Sequence, residues 1–197
     1  MPEVRTHYEC AASNGRGEVW GRDPFLHPRE EHELEAKMTH HQVEVAGEAY
    51  AACVFSQAGF DVLVQYGADQ PLYDLVVIRD SSALRISVKS SQHPAWGLIQ
   101  GYKAGRSYEE AADAWLHKQD EQVLYCLVTF AGVDVGQCPR CYLATAREIA
   151  EHMKTAKCKT TTLSEDHLPK KGAGKGQRFS IPSEWKFSRA RIESFLQ

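Results

Sequence analysis

Apolar residues first recur at helical spacing in residues 39–60, "THHQVEVAGEAYAACVFSQAGF". A helix with one buried face has apolar positions three or four residues apart. Thr39 is a suitable N-cap, and Gly59 is a suitable residue for the C-terminal end. The pattern predicts a helix whose buried face carries Val43, Ala46, Tyr50, Ala51, Val54 and Phe55.

Three short apolar runs follow this helix and predict β-strands at residues 61–67, 73–80 and 83–91. A short turn at Ser81–Ser82 joins the second strand to the third, which makes them antiparallel neighbours. A later run at residues 123–132, "VLYCLVTFAG", is apolar almost throughout. Such a run predicts a strand that is buried on both faces.

The remaining elements are predicted from periodicity and capping residues in the same way. They are a helix over 107–118, a strand over 140–146, a helix over 145–156 capped by Thr145, a loop over 167–177, a strand over 178–182 and a terminal helix over 182–196. The predicted order is a helix, three meandering strands and a second helix that crosses to another strand. This order predicts an α/β fold. Its mixed central β-sheet is expected to be flanked by helices.

The chain is expected to form one domain with an extension. Residues 1–37 hold Gly, Pro and a charged run and predict a weakly structured N-terminal extension. Residues 38–160 are the predicted core, and residues 161–197 are expected to complete the same domain with a basic loop, a strand and a helix. No apolar run approaches the roughly 20 residues of a membrane span. With no export signal recognised, a cytoplasmic protein with reduced thiols is expected.

The net charge of −3 hides an uneven distribution. Residues 1–136 carry 20 acidic and 11 basic residues, a balance of −9, whereas residues 137–197 carry 6 acidic and 12 basic residues, a balance of +6. A basic C-terminal part could contact phosphates. A solvated, lysine-rich surface is the alternative interpretation.

Charged residues converge at one end of the predicted sheet. In the strand 83–91, alternation places Arg85, Ser87 and Lys89 on the face opposite Ile86. Asp74 opens the neighbouring antiparallel strand, so it is expected near Lys89. A glycine inside a helix often permits close packing, so Gly47 allows the adjacent Glu48 to reach the same edge.

Two carboxylates and a lysine at one edge suit a particular chemistry. Carboxylate oxygens bind Mg²⁺, and the metal lowers the pKa of a bound water and stabilises charge on a phosphoryl oxygen. A lysine can position that water or stabilise developing negative charge. The alternative is a plain surface ion pair between Asp74 and Lys89.

The same residues resemble the PD-(D/E)XK nuclease superfamily. The match covers Gly47-Glu48, the "GFDV" entry to the first strand, "YDLVV" and "ISVKSS", and it spans about residues 42–92. It is most similar to the branch with Holliday-junction resolvases and small endonucleases. The resemblance implies a restriction-endonuclease-like α-β-β-β-α-β core. It also implies Glu48 and Asp74 as ligands of Mg²⁺ or Mn²⁺, the Val88 carbonyl as a further ligand and Lys89 as the catalytic lysine.

The resemblance implies a metal-dependent DNA endonuclease that hydrolyses phosphodiester bonds in branched or duplex DNA. Resolvases of this type tend to be dimers, so a homodimer is expected, which the resemblance allows. Because no apolar run is long enough to cross a bilayer, no membrane partner is expected. One position departs from the family pattern. Ser87 is a catalytic candidate by its place two residues before the lysine, but the family has an acid there. A hydroxyl is a poor replacement for a carboxylate on Mg²⁺. The alternative is therefore a catalytically degenerate nuclease fold that binds nucleic acid or serves as an assembly subunit.

Several polar and basic residues are candidates for holding DNA. Gln92 and Gln100 follow the lysine strand, where related nucleases place residues that orient a phosphate. A flexible basic loop and the residues after it could contact the phosphate backbone. These residues are Lys170, Lys171, Lys175 and Arg178, followed by Lys186, Arg189 and Arg191.

Two other motifs carry weaker signals. "CPRC" at residues 138–141 is a lone pair of cysteines, whereas a structural Zn²⁺ site needs about four ligands. Cys158 with His152 or His167 could complete such a site, which would make a small zinc-containing interaction domain a third possibility. "KKGAGKGQ" at 170–177 lacks the strand, the hydroxyl residue and the following helix of a Walker loop.

Overall fold

The computed structural model describes residues 37–65, 73–155, 160–168, 175–176 and 178–196. Apart from Lys37, the predicted N-terminal extension lies outside these ranges. The described residues belong to one unit, Lys37–Gln197. None of the helices in these ranges combines the length and the apolarity that crossing a bilayer requires.

The first helix, α1 (His40–Gln57), begins at the predicted N-cap. The Thr39 hydroxyl accepts a hydrogen bond from the backbone of Gln42, and the Gln42 side chain accepts one from the backbone of Thr39. Gly59 follows the helix with φ of +88°, a conformation that costs glycine little. The predicted helix and both of its terminal signals are confirmed.

A five-stranded mixed sheet lies at the centre of the protein. Its strands are β1 (Asp61–Val64), β2 (Leu75–Arg79), β3 (Ser82–Ser91), β5 (Val123–Thr129) and β6 (Arg140–Thr145), and the short β4 (Ala95–Trp96) falls between β3 and β5 in the chain. The order in the sheet is β1-β2-β3-β5-β6. Within this sheet β3 and β5 are parallel, and the other neighbours are antiparallel.

Helices cover both faces of this sheet, so the predicted α/β class with a mixed, helix-flanked sheet is confirmed. The further helices are α2 (Tyr108–Leu116), α3 (Ala146–Thr155) and α4 (Arg189–Glu193). α1 and α4 contribute Phe55 and Ile192 to one core, and α2 and α3 contribute Trp115 and Ile149 to the other. All residues of β5 are buried between the two cores, as its apolar sequence predicted.

Two small antiparallel ribbons complete the fold. β4 pairs with β7 (Leu163–Ser164), and β8 (Asp166–His167) pairs with β9 (Phe179–Ser180). The prediction of a loop over 167–177 is therefore wrong at His167, which belongs to β8. The predicted strand over 178–182 is confirmed in its central part.

The prediction of one terminal helix over 182–196 is wrong. The segment forms a 3₁₀ turn at Ser183–Trp185 and then the short helix α4, which Ser188 caps. Between them, Lys186 forms a β-bridge with Tyr142, and the backbone N–H of Phe187 donates to the carbonyl of Cys141. Pairing with the edge of β6 holds this stretch extended, which helical periodicity in the sequence does not reveal.

Most of the basic residues near the C-terminus that the structure describes have acidic or carbonyl partners. Arg140 pairs with Glu165, Arg178 with Asp166, and Arg191 with Glu148. Arg147 pairs with Glu121, Lys154 contacts Asp113, and Arg189 donates to the carbonyl of Ala58. Most of the described basic side chains of this region therefore form ion pairs or hydrogen bonds within the protein, and several of these contacts join the C-terminal segments to the rest of the fold.

Replacing Arg191 with methionine (R191M) is expected to lower the free energy of unfolding by about 2 kcal/mol, in the range of hydrogen bonds that involve charged groups. The guanidinium is largely buried, pairs with Glu148 at 2.7 Å and donates to the carbonyl of Leu143. The substitution leaves a partly buried carboxylate and a carbonyl without these donors. The matched control is R147M, which breaks the exposed pair with Glu121 and is expected to cost no more than about 1 kcal/mol. Urea unfolding of both variants measures the difference. Equal losses of stability would contradict the larger contribution expected of the Arg191 contacts.

Candidate functional site

A cavity of about 590 Å³ lies where α1, the start of β2 and the end of β3 meet. Its lining includes Glu48 of α1, Asp74 immediately before β2, and Val88 and Lys89 of β3. Four of the predicted site residues, which come from three separate elements, therefore face one cavity. Their convergence is the feature on which the sequence-based hypothesis depended.

Asp74 is held by the backbone of β3. Its N–H donates at 2.8 Å to the carbonyl of Ile86, the residue that pairs with Leu75 in the β2–β3 ladder. Its carboxylate oxygen Oδ2 accepts the backbone N–H of Val88 at 2.6 Å. A charge-assisted hydrogen bond of this length fixes a carboxylate firmly. The carboxylate is thus fixed beside the strand that carries Lys89.

Gly47 brings α1 onto β3 at this point. A Cβ added at Gly47 would overlap both Oγ and Cβ of Ser90. Only glycine permits this approach without displacing the helix or the strand. The close packing predicted for Gly47 is therefore present, and it places Glu48 on the cavity beside Ser90.

The carboxylate of Glu48 lies in the field of the other site charges. Burial and then the negative charge of Asp74 raise the pKa of Glu48, and Glu44 acts in the same direction. The positive charge of Lys89 opposes this increase. Glu48 and Asp74 are therefore two neighbouring carboxylates that repel each other. Lys89 compensates only part of their negative charge.

Glu48→Gln (E48Q) is expected to stabilise the metal-free protein more at neutral pH than near pH 4.5. Because the folded-state pKa of Glu48 lies above the ordinary value of 4.5, the folded protein binds more protons than the unfolded chain above that pH. The stability that Glu48 contributes is therefore present at low pH and lost as the pH rises through the folded-state pKa. Urea unfolding in EDTA at both pH values checks this. Glu151→Gln, at an exposed position of α3, is the control, and a pH-independent effect of E48Q would contradict the prediction.

Ser87 does not line the cavity. It is 3% exposed and pairs with Tyr125 in the parallel ladder of β3 and β5, whereas Lys89 pairs with Leu127. Ser87 and Lys89 share a face of β3 by alternation, but Ser87 lies one step further from the end of the strand. The structure therefore brings Lys89 to the cavity and leaves Ser87 within the sheet, and a catalytic role for Ser87 stays a prediction.

Residues that the sequence reasoning did not select also line the cavity. Glu44 lies one helical turn before Glu48, and His40 lies a further turn before it. The Nδ1 atom of His40 is 3.2 Å from Oε1 of Glu44. The four-residue spacing of these side chains on α1 is a signal that could have identified them.

A further wall of the cavity comes from the segment 92–98 after β3, all of which lines the cavity except Pro94. Thr129 donates its hydroxyl hydrogen to the carbonyl of His93, and the indole of Trp96 donates to the carbonyl of Val128. Pairing of β4 with β7 supports the wall from outside. The placement of His93 in the cavity depends on these long-range contacts, and no local sequence signal indicates it.

The predicted DNA-binding residues are only partly at this cavity. Gln92 lines it and donates to the carbonyl of Met38. Gln100 is exposed and lies beside Gly97, which also lines the cavity.

The basic residues predicted to hold DNA are not at this cavity where the structure describes them. Lys175 is exposed in a turn, and Arg178 pairs with Asp166; neither lines the cavity. Lys170 and Lys171 lie outside the described residues.

The cysteine motif is not arranged as a closed metal site in the described ranges. Cys138 is exposed, and Cys141 contacts Cys126. The ring of His152 packs against Trp185, and His167 lies in β8. Cys158 lies outside the described residues, so Zn²⁺ binding stays a prediction. In the part of the chain that the structure describes, no three or more His, Cys, Asp or Glu side chains form a metal-binding group.

Compared with protein-family models, with curated proteins and with solved structures, the chain matches none of them. What the protein does is therefore inferred from the residues of the cavity and from their resemblance to a nuclease motif.

Proposed function

We propose that the protein is a metal-dependent DNA endonuclease of the PD-(D/E)XK type. The observation that carries the proposal is the common cavity of Glu48, Asp74 and Lys89. These residues are 41 positions apart in the chain at most, yet each comes from a different element. An acid pair with an adjacent lysine is the group that this chemistry requires.

The topology supports the same proposal. α1 is followed by the antiparallel strands β1, β2 and β3, and α2 then leads to β5, which is parallel to β3. Apart from the short β4, which lies in a separate ribbon, and a 3₁₀ turn, this is the α-β-β-β-α-β order that the resemblance implies for a restriction-endonuclease-like core. Asp74 enters the second strand and Lys89 lies near the end of the third, where the nuclease motif has its acid and its lysine.

The donor set fits a hard divalent cation. Glu48 and Asp74 offer carboxylate oxygens, which Mg²⁺ and Mn²⁺ prefer. Burial and then repulsion from Asp74 raise the pKa of Glu48, and a bound cation would offset both effects. When bound, it would supply a water of lowered pKa and stabilise charge on a phosphodiester. Glu48 and Asp74 would hold the cation, and by resemblance the Val88 carbonyl would be a further ligand.

The protein's own groups would position the reactants. The hydrogen bond from Val88 holds the Asp74 carboxylate in a fixed orientation. Lys89 would direct a water or neutralise a phosphate oxygen in the cavity. Gln92 and the exposed Lys37 line the same cavity and offer donors to a DNA backbone. Arg178 could serve DNA only by giving up its pair with Asp166.

One observation favours a second function, DNA binding without cleavage. The position two residues before Lys89 is a hydroxyl, Ser87, which is buried outside the cavity lining. The cavity thus has two acids from the nuclease motif where the full pattern has three. A site with too few carboxylates would hold Mg²⁺ weakly and bind nucleic acid without cutting it, alone or as part of an assembly.

A cleavage assay separates the two functions. Purified protein is incubated with labelled duplex DNA and with a four-way junction, in Mg²⁺, Mn²⁺ or EDTA. Metal-dependent cutting that Lys89→Met abolishes and the exposed control Lys118→Met retains supports the endonuclease. Tight binding in EDTA with no cutting in either metal supports the second function. A protein that neither binds nor cuts DNA would overturn both functions. Size-exclusion chromatography of the same samples tests the homodimer expected from the sequence, and a monomer would contradict that expectation.

A further inference from the structure

Two thiols outside the nuclease-like cavity meet across neighbouring strands of the sheet. The Sγ atoms of Cys126 in β5 and Cys141 in β6 are 3.3 Å apart. The residues are diagonal neighbours, because Cys126 pairs with Leu143 and Cys141 pairs with Val128. Both belong to the core that α1 covers. A disulfide bond is about 2.05 Å long, so the two sulfurs need to approach by little more than about 1 Å.

A second cavity makes one of these thiols accessible. It has a volume of about 350 Å³, and Cys141 and Tyr50 contribute to its lining. Cys141 is partly exposed, whereas Cys126 is fully buried. The hydrogen bond with Cys141 and burial raise the pKa of the Cys126 thiol. A small reactant therefore meets Cys141 first, and Cys126 lies behind it.

The charges around this cavity select the kind of reactant. Arg140 and Lys186 line it, and no acidic side chain lies among its described lining residues. Glu165 forms an ion pair with Arg140 at 2.6 Å and so compensates one of these positive charges. A cationic entrance beside a thiol favours a small disulfide that carries carboxylates.

We propose that Cys141 and Cys126 form a thiol–disulfide exchange site for small anionic disulfides, the chemical class of oxidised glutathione. Sγ of Cys141 bonds to one sulfur of the small disulfide, whose S–S bond breaks, and the first small thiol leaves with the proton of Cys141. Sγ of Cys126 then bonds to Sγ of Cys141, the mixed disulfide breaks, and the second small thiol leaves with the proton of Cys126. The protein loses two electrons and two protons, and the small disulfide gains them. This proposal is independent of the nuclease function.

The test uses the reduced full-length chain and oxidised glutathione. After alkylation of the remaining thiols, peptide mapping by mass spectrometry is expected to show one bond between Cys126 and Cys141. The intact mass is expected to fall by two hydrogens at that pair and to recover with dithiothreitol. Cys126→Ala is expected to stop at the first step, with glutathione retained on Cys141. The exposed Cys138 is the matched control, because Cys138→Ala is expected to leave the bond unchanged.

Two results would overturn the proposal. One is a wild-type protein whose Cys126 and Cys141 both remain open to alkylation after unfolding, whatever happens at other cysteines. The other is a bond that joins Cys138 to Cys141 in place of Cys126. Both results are obtained on the wild-type protein, so a substituted chain that fails to fold does not alter them.

Discussion

Replacing Asp74 with asparagine (D74N) is expected to lower the rate of Mg²⁺-dependent DNA cleavage by about 100-fold or more, because even groups one layer outside a metal's ligands alter activity by roughly 10- to 100-fold. Asparagine keeps an oxygen that can accept the N–H of Val88, as Oδ2 of Asp74 does at 2.6 Å. The substitution therefore removes the negative charge and preserves the local hydrogen bond. Initial cleavage rates of wild type and D74N measure the effect.

The matched control for this prediction is Asp80→Asn in the turn between β2 and β3. Asp80 has φ of +57°, a conformation that asparagine tolerates well. Its substitution removes one negative charge outside the cavity and is expected to leave the cleavage rate unchanged. Equal rates for D74N and wild type would contradict the role of Asp74. Equal losses in both variants would show that the effect is not specific to the site.

Replacing Gly47 with alanine (G47A) is expected to lower the free energy of unfolding by about 1–3 kcal/mol, the usual cost of forcing extra atoms into a packed interior. Alanine favours a helix over glycine, but its Cβ would overlap the side chain of Ser90. Either α1 or β3 must move to remove the overlap. Such a movement would also separate Glu48 from Asp74, so cleavage is expected to fall with stability.

Gly101→Ala is the control for G47A, because a Cβ at Gly101 meets no atom within 4 Å. Its effect is expected to stay within about 0.5 kcal/mol, as at most surface positions. A Ser90→Gly substitution removes the atoms that the new Cβ would meet. The loss of stability that G47A causes is therefore expected to be smaller in the Ser90→Gly background than in the wild-type protein. Urea unfolding of wild type and the four variants tests these expectations, and a G47A protein as stable as wild type would contradict the close packing.

The parts of the site that the sequence predicted depend on short-range rules. Thr39 caps α1, and its helical register places Gly47 against the sheet and Glu48 beside it. The tight turn between β2 and β3 fixes the register that brings Asp74 near Lys89. Capping, helical spacing and hairpin register are all decided by residues close together in the chain, so a single sequence carries them.

The other wall of the cavity could not be predicted in this way. Residues 92–98 reach their position because β4 pairs with β7, which is more than 60 residues later in the chain. A two-residue strand has no periodicity from which to recognise it. His93 therefore looks like an ordinary turn residue in the sequence, although it faces the same cavity as Lys89.

In the C-terminal region the sequence likewise does not reveal which charged residues are paired. A count of residues gives a positive balance, but it does not show that Arg191 pairs with Glu148 or Arg178 with Asp166. The same kind of long-range contact interrupts the predicted terminal helix, since Lys186 pairs with Tyr142 of β6. Neither a charge count nor helical periodicity contains information on tertiary pairing. In this region tertiary pairing decides which charges are free and where the helix begins.

Anomalous scattering from crystals soaked in Mn²⁺ tests the central claim most directly. The metal is identified by its own signal, and DNA is not needed. We expect an anomalous peak in contact with the carboxylates of both Glu48 and Asp74, and we expect D74N crystals to lose this peak. A wild-type map with no peak between these two carboxylates, under Mn²⁺ concentrations at which cleavage is assayed, would contradict a metal site in this cavity.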